Sequence, residues 1–169
     1  MLFKFQPLKS IIGALRVSIG LIVVVTVLFL LSRRDFPDLD ILFTVVLVSQ
    51  IPDFIIFLQY YTNDYKADFV FEKSNNRIVY RKKNKTYTYT FDEIKQVVLT
   101  APASRLKKKG IQMFTKDRFF YYKFIFKDGK TIILTSLMFD GQLINETNFK
   151  DMDFRKEPAF FPFLINLVN

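Results

Sequence analysis

This 169-residue chain contains two clusters of basic side chains. The type and spacing of these residues suggest that they bind anions. The clusters are the segments "RKKNK" and "SRLKKK", and both fall in predicted turns or loops, which often carry function. Each Lys or Arg held near an anionic leaflet contributes about 1 kcal/mol of attraction. We therefore predict that these cations contact lipid headgroups or a protein partner. They are Arg81, Lys82, Lys83 and Lys85 in the first cluster, and Arg105, Lys107, Lys108 and Lys109 in the second.

Two other interpretations of these clusters stay open. The charges can form an ordinary solvated face that reinforces the topology of a membrane protein, because cytoplasmic segments carry an excess of Lys and Arg. Nucleic acid is the least favoured ligand, because the aromatic residues alternate as strand interiors and few are free to stack on bases. We therefore expect no nucleic-acid partner.

The residue types that most catalytic and metal sites need are missing from the sequence. The chain has no Cys and no His, which excludes disulfides, thiol chemistry, Cys/His zinc sites and His-based general bases. Its five glycines form neither a dinucleotide fingerprint nor a P-loop. Asp92 and Glu93 are adjacent and so do not converge across a cleft, and Asp151, Asp153 and Glu157 lack the spacing of a calcium loop. We expect a protein without a cofactor, a metal or catalytic activity.

A third group of polar residues lies inside apolar sequence, where charge is expensive. Arg16 interrupts the first apolar run, and Asp53 follows Pro52 in the second. In an antiparallel helical hairpin these two charges would differ in depth by about 5 Å. We predict that they face each other, that Ser49 and Gln50 share their polar face, and that Pro52 opens a turn or kinks the helix. Three roles stay open: a pair that fixes the hairpin, a surface for a membrane partner or an ion route, or snorkelling toward the headgroups.

Two helices must hold that polar group. Apolar runs cover 11–31 and 41–61, and at about 1.5 Å per residue each matches the roughly 30 Å of a hydrocarbon core. The first run is too long for a signal peptide and no small-residue cleavage site follows it. The sequence predicts a transmembrane hairpin with helices at about 10–32 and 40–61.

The chain therefore divides into a membrane part and a basic part. We predict a hairpin in residues 1–65 and a basic β domain in residues 66–169. Basic residues flank the hairpin on the side of the termini, which favours a multi-pass protein of the cell inner membrane with both termini in the cytoplasm.

The basic part reads as short strands joined by turns. "ADFVFEKSNNRIVYRKK" predicts two strands around an Asn-rich turn, and "KTYTYTFDEI" alternates Thr with aromatic residues. "IKQVVLTA" predicts another strand, and "RFFYYKFIFKDGKTIILTSL" predicts a hairpin that turns at Asp128–Gly129. Pro158 stands at a plausible first helical position of a short C-terminal helix. The fold class is an α+β membrane protein with an antiparallel β-barrel or curled sheet.

The segments "IVYRKKNKTYTYTFDEIKQV" and "YYKFIFKDGKTIILTSL", preceded by a membrane hairpin, resemble bacterial membrane-anchored PH-like (pleckstrin homology-like) proteins. The resemblance covers residues 66–168. It implies a PH-like barrel, a non-enzymatic binding or scaffolding role, and ligand contact through the loops that connect the strands.

Two functions of different class follow. The preferred one is a membrane-anchored scaffold whose cytoplasmic PH-like domain contacts a protein partner or anionic lipid headgroups. The alternative is an accessory subunit of a larger membrane complex, such as a transporter or envelope machinery, that docks through the polar face of the second transmembrane helix.

Overall fold

The computed structural model describes residues 2–5, 19–30, 39–106, 115–139, 149 and 152–164. Eight strands in the described part form two four-stranded sheets. The strands are β1 (Leu2–Lys4), β2 (Ala67–Glu72), β3 (Arg77–Lys82), β4 (Lys85–Thr90), β5 (Ile94–Ala101), β6 (Tyr121–Phe126), β7 (Thr131–Thr135) and β8 (Phe154–Pro158). The helices are α1 (Ile19–Leu30), α2 (Leu39–Ser49), α3 (Ile51–Asp64) and the short α4 (Ala103–Leu106).

The first sheet has the order β1-β2-β3-β4, and all of its strands are antiparallel. The Asn-rich turn between β2 and β3 has the positive φ of 49° at Asn76, a conformation that Asn tolerates well. In β4 the side chains alternate as predicted, with Tyr89 buried and Thr88 and Thr90 exposed. These three predicted strands are therefore confirmed.

The second sheet has the order β7-β6-β5-β8. Its β6–β7 hairpin turns at Asp128–Gly129, where Gly129 takes a φ of 85° that favours glycine. The Asp128 Oδ1 atom accepts a hydrogen bond from the Lys130 backbone N–H at 2.9 Å and so closes the turn. The predicted hairpin is confirmed.

The prediction of a C-terminal helix starting at Pro158 is wrong for the described residues. Pro158 is instead the last residue of β8, which pairs with β5 in parallel, so the second sheet is not purely antiparallel. Proline has no N–H to donate to a neighbouring strand, and it is tolerated here because β8 is at the edge of the sheet. Residues 159–164 are irregular, and Pro162 interrupts any helix there. The remaining predicted positions, 165–169, lie outside the described residues.

The first strand precedes the two apolar segments, so a boundary at residue 65 does not separate two independent parts. Leu2–Lys4 pair with β2, and the Phe5 backbone N–H donates to the Ala67 carbonyl at 3.4 Å. The chain thus leaves the first sheet at Phe5 and returns to it at Ala67. The apolar helices are an insertion between two neighbouring strands.

The second apolar segment opens a turn just before Pro52, as predicted. The helices α2 and α3 meet at Gln50, whose backbone N–H donates to the Leu47 carbonyl at 3.1 Å. Among the described residues, one helical stretch, Thr44–Asp64, is long and apolar enough to cross a membrane. The described part of the first predicted transmembrane helix, Ile19–Leu30, is apolar but shorter. A two-helix transmembrane hairpin is therefore not confirmed.

Helix α3 is fastened to the β domain over its second half. Ile56, Phe57 and Tyr60 are buried in a cluster with residues of the second sheet and of the C-terminal segment. The Tyr60 hydroxyl donates to the Pro162 carbonyl at 2.9 Å, and the Leu164 N–H donates to Gln59 Oε1 at 2.9 Å. The segment that was predicted to be helical instead holds α3 in place.

Candidate anion-binding site

Five lysines converge on one cleft of about 1100 Å³ between the β3–β4 turn and the β6–β7 turn. No Asp or Glu is among the residues that line this cleft. Because each ammonium group is a compact point charge with three donors, the cleft suits a phosphate, sulfate or carboxylate group. The five residues, called here the cleft lysines, are Lys82, Lys83, Lys85, Lys123 and Lys130.

Strand geometry selects which residues of the first predicted cluster reach the cleft. Successive side chains of a strand point to opposite faces, so Lys82 lies on the same face of β3 as Tyr80, and both line the cleft. Arg81 points away and is exposed. Lys83 has a positive φ of 54° in the tight turn. Three of the four predicted cations therefore belong to one site, and Arg81 does not.

Two cleft lysines were not predicted because they are distant in sequence from the basic cluster. Lys123 is in β6, and Lys130 follows the β6–β7 turn. The Lys130 ammonium group lies 3.1 Å from Asp128 Oδ2, and this contact raises the pKa of Lys130. The pKa of Asp128 is lowered first by the hydrogen bond from the Lys130 backbone N–H and then by the ammonium group. The "DGK" turn was a usable signal for Lys130, since hairpin geometry places the residue after such a turn at the rim of the sheet.

Aromatic side chains form the wall of the cleft on the first sheet. The rings of Tyr80 and Tyr87 stack with 6.4 Å between their centroids, and the ring of Tyr89 stacks on Phe126 at 3.7 Å. Burial raises the pKa of Tyr80 above its ordinary value, so its hydroxyl stays neutral. The wall therefore adds the neutral Tyr80 hydroxyl to the five cations.

Partial burial changes the pKa of one cleft lysine, Lys82. Lys82 is half-buried, and burial lowers the pKa of its ammonium group, with the Asp64 carboxylate acting in the opposite direction. A cation that has already lost part of its hydration gives up less on contact with an anion. Lys82 is thus better prepared for contact with an anion than the exposed lysines Lys83, Lys85 and Lys130.

A buried carboxylate lies directly behind the cleft. Asn63 lines the cleft, and its Nδ2 donates to Asp64 Oδ1 at 2.8 Å and to the Ile133 carbonyl at 3.0 Å. The Thr135 hydroxyl is 2.5 Å from Asp64 Oδ2. Burial raises the pKa of Asp64 from 3.8 to about 7, although hydrogen bonds from Thr135 and Asn63 act to lower it. The last turn of α3 therefore joins the cleft to a titratable group.

A family model described as PH domain matches residues 2–147, which is most of the chain. The chain belongs to the PH domain family. The match begins at β1 and runs through the apolar helices, so these helices lie within the matched part. No curated protein and no solved structure is similar enough to match the chain.

Membership confirms the PH-like domain that the sequence predicts and indicates a binding or scaffold module, because PH domains generally bind lipids or proteins. Within this PH domain, the described residues contain no group of three or more acidic side chains that could hold a metal ion. The cleft lysines are the described feature with the chemistry of a binding site.

The second predicted cluster does not form a basic surface in the described part of the PH domain. Arg105 is buried rather than exposed, its guanidinium carbon lies 4.5 Å from the ring centroid of Phe120, and Nη1 donates to the Asp117 carbonyl at 3.1 Å. The prediction that Arg105 contacts lipid is wrong, because its side chain is used inside the fold. Lys107, Lys108 and Lys109 lie outside the described residues.

Arg105→Ala should lower the free energy of unfolding by about 2–3 kcal/mol. The change removes the cation–π contact with Phe120 and leaves the Asp117 carbonyl without this buried donor. Thermal or urea unfolding of the full chain in detergent measures the loss. The control is Arg81→Ala, which removes an exposed arginine and should change the free energy by less than about 0.5 kcal/mol. Equal losses in both variants would contradict a structural role for Arg105.

The predicted polar group of the second apolar segment is brought together in part. Gln50 and Asp53 are buried, whereas Ser49 is exposed. The Ser49 hydroxyl donates to the Val46 carbonyl at 2.7 Å, and Gln50 Nε2 donates to Ser49 Oγ at 3.0 Å. Arg16 lies outside the described residues, so its predicted pairing with Asp53 stays a prediction.

Proposed function

We propose that this PH domain protein is a non-enzymatic, membrane-anchored module of the bacterial inner membrane whose cytoplasmic cleft binds anionic lipid headgroups. The observation that carries the proposal is the convergence of five lysines on one cleft beside the end of helix α3. A protein partner with an acidic segment is the alternative source of the anion.

The position of α3 supports a headgroup as the ligand. The exposed apolar side chains of α2 and α3 begin at Ile41 and end at Leu58, a length of roughly 27 Å at 1.5 Å per residue, close to the thickness of a hydrocarbon core. Asn63, which lines the cleft, follows Leu58 by five residues, or about 7.5 Å along the helix. Surface charges act over about 8–10 Å, so the cleft lysines would lie within reach of the headgroup layer.

Exposed apolar surface supports the membrane anchor. Many large apolar side chains on α1, α2 and α3 are exposed. Soluble proteins rarely expose so much apolar surface. The residues with more than half of their surface exposed are Val23, Val24, Leu30, Ile41, Val45, Val48, Ile51 and Leu58. A bilayer would cover this surface without any further protein.

The insertion of the helices between β1 and β2 supports a common side for both ends of the hairpin. Phe5 and Ala67 are hydrogen-bonded neighbours, so an anchored chain would return to the side of the membrane from which it left. This supports an even number of crossings and agrees with the excess of basic residues in the chain, which favours the cytoplasm.

The docking of an accessory subunit through the polar face of the second apolar segment has less support. Gln50 and Asp53 are buried, and the Ser49 hydroxyl is used within its own helix. This face therefore offers a partner little exposed polar surface in the described part of the chain.

A single cysteine at the cleft tests the proposal, because the native chain has none. Thr131 lines the cleft and is exposed. An environment-sensitive fluorophore on Thr131→Cys, in nanodiscs of the full chain, should shift when phosphatidylcholine is replaced by phosphatidylglycerol, and the shift should decrease with salt. The matched control is Lys73→Cys in the β2–β3 turn, at the opposite end of the first sheet from the β3–β4 turn, which should not respond.

Two results would contradict this proposal. No difference between the two lipids at Thr131→Cys would eliminate the headgroup and leave an acidic protein partner as the source of the anion. Labelling of the same cysteine by an impermeant reagent added outside intact cells would contradict the cytoplasmic location.

A further inference from the structure

The carboxylate of Asp64 is fully buried directly behind the cleft lysines, which is an unusual place for an acid. Asn63 connects the two, because its amide group lines the cleft and also donates to Asp64 Oδ1. The other carboxylate oxygen contacts the Thr135 hydroxyl in β7. Among the described residues, no Lys or Arg nitrogen lies within 4.0 Å of Asp64, so the carboxylate has no ion pair there.

Three titratable side chains on the elements around Asp64 interact with it electrostatically. Tyr60 is in α3, one turn before Asp64, and Tyr80 and Lys82 are in β3. Burial raises the pKa of Tyr80 above its ordinary value, so this tyrosine stays neutral at physiological pH. The Tyr60 hydroxyl donates to the Pro162 carbonyl at 2.9 Å. Lys82 is therefore the nearby cation whose field Asp64 changes, and Lys82 is also one of the cleft lysines.

We propose that the cleft binds its anion together with a proton, and that Asp64 is the residue that takes up this proton. The inference rests on the proposed function, since it describes the regulation of the same cleft. When Asp64 is ionised, its charge offsets that of Lys82 and repels an anion in the cleft. When Asp64 is neutral, the five lysines act on the anion without that opposition.

The hydrogen bonds around Asp64 can accommodate both protonation states. In the ionised state Oδ2 accepts from the Thr135 hydroxyl, and Oδ1 accepts from Asn63. In the neutral state a proton from solvent resides on Oδ2, which then donates to Thr135 Oγ1, an oxygen that also accepts from the Leu137 backbone N–H at 3.3 Å. The contact with Asn63 is the same in both states. Protonation therefore changes the charge behind the cleft and turns the Thr135 hydroxyl hydrogen away from Asp64.

Because binding equilibria are reciprocal, an anion that favours neutral Asp64 is itself bound more tightly when Asp64 is neutral. Affinity should therefore fall as the pH rises through about 7. The chain has no His and no Cys, so few other side chains change charge between pH 6 and pH 8. A pH dependence in this range that disappears in Asp64→Asn would thus identify Asp64 as the group that titrates.

The test measures the binding of inositol hexasulfate to the full chain in phosphatidylcholine nanodiscs at pH 6 and pH 8. Sulfate esters keep their charge over this range, so the probe itself does not titrate. We expect the native protein to bind about five- to tenfold more tightly at pH 6, at the lower end of common coupling factors. Asp64→Asn, which is uncharged at both pH values, should bind equally at both and as tightly as the native protein does at pH 6.

The outcomes separate the inference from the function on which it rests. No binding of the probe at either pH would overturn the anion-binding cleft and the inference with it. Binding by the native protein that is equal at the two pH values would overturn the inference alone, as would a pH dependence that persists in Asp64→Asn. The comparison of the native protein at pH 6 and pH 8 needs no variant, so equal affinities there would overturn the inference even if Asp64→Asn failed to fold.

Discussion

Replacement of three cleft lysines, Lys82→Ala, Lys83→Ala and Lys85→Ala together, should weaken the binding of inositol hexasulfate by about 100-fold or more. Each lysine near an anionic ligand contributes about 1 kcal/mol, and a loss of about 3 kcal/mol corresponds to roughly 150-fold in affinity. Isothermal titration calorimetry of the full chain in nanodiscs at pH 6 measures the change in affinity. Thermal unfolding should be little affected, because two of the three side chains are exposed and the third is half-buried.

The matched control removes the same net charge away from the cleft. Lys73→Ala, Arg81→Ala and Lys95→Ala together alter three exposed cations that do not line the cleft. This triple variant should lose less than about fivefold in affinity, since distant charges are screened by salt. Similar losses in the two triple variants would mean that the probe senses only the overall charge of +9, and the cleft would lose its role.

Asp64→Asn should stabilise the protein at alkaline pH by up to about 4 kcal/mol. In the folded protein, burial raises the pKa of Asp64 from 3.8 to about 7, and one pKa unit corresponds to about 1.4 kcal/mol. Between about pH 4 and pH 7, Asp64 is therefore protonated in the folded state and ionised in the unfolded state. The contribution of Asp64 to stability is fully present below about pH 4 and is lost as the pH rises through 7.

Unfolding of the full chain in detergent, followed from pH 5 to pH 8.5, measures this effect. The stability of the native protein should fall across this range, and that of Asp64→Asn should stay nearly constant. The variant retains an acceptor for Asn63 and a donor for Thr135, so its packing should match that of the neutral acid. Asp92→Asn, at an exposed position, is the control and should follow the native protein.

Other acids do not produce the same pH profile. Hydrogen bonds lower the pKa of Glu72 and that of Asp128, so their contributions are present above about pH 4 and are lost only on further acidification. This is the opposite sign to that of Asp64. A native stability that does not change between pH 5 and pH 8.5 would therefore count directly against a buried carboxylate with a raised pKa.

Helix α3 gives the proposed anchor and the cleft a common element. Its first half carries exposed apolar side chains, whereas Tyr60 packs against Phe119 and Tyr121, and Asn63 reaches the cleft. The contacts of Tyr60 and Gln59 with the C-terminal segment hold this helix to the second sheet. The orientation of the cleft relative to a bilayer would thus be set by one continuous helix.

Local sequence alone determined most of the β elements and the opened turn in the second apolar segment. Alternation in "KTYTYT", the Asn-rich turn and Asp128–Gly129 each specify backbone geometry through neighbouring residues, so strands β2 to β7 could be predicted. The opened turn before Pro52 could be predicted for the same reason, because the missing N–H is a property of that residue. The basic segment "RKKNK" could be recognised as a candidate site, but not which of its side chains share a face with distant lysines.

Only the tertiary structure decided the features that depend on contacts between distant segments. The pairing of Leu2–Lys4 with β2 joins strands separated by more than sixty residues, and no local pattern of three residues predicts such a partner. Arg105 is basic in sequence yet buried against Phe120, and Phe154–Pro158 became a parallel strand because the edge of β5 was available. Folding brings Lys123, Lys130 and Asp64 to the site. Their burial and their charged neighbours depend on segments that are distant in the sequence.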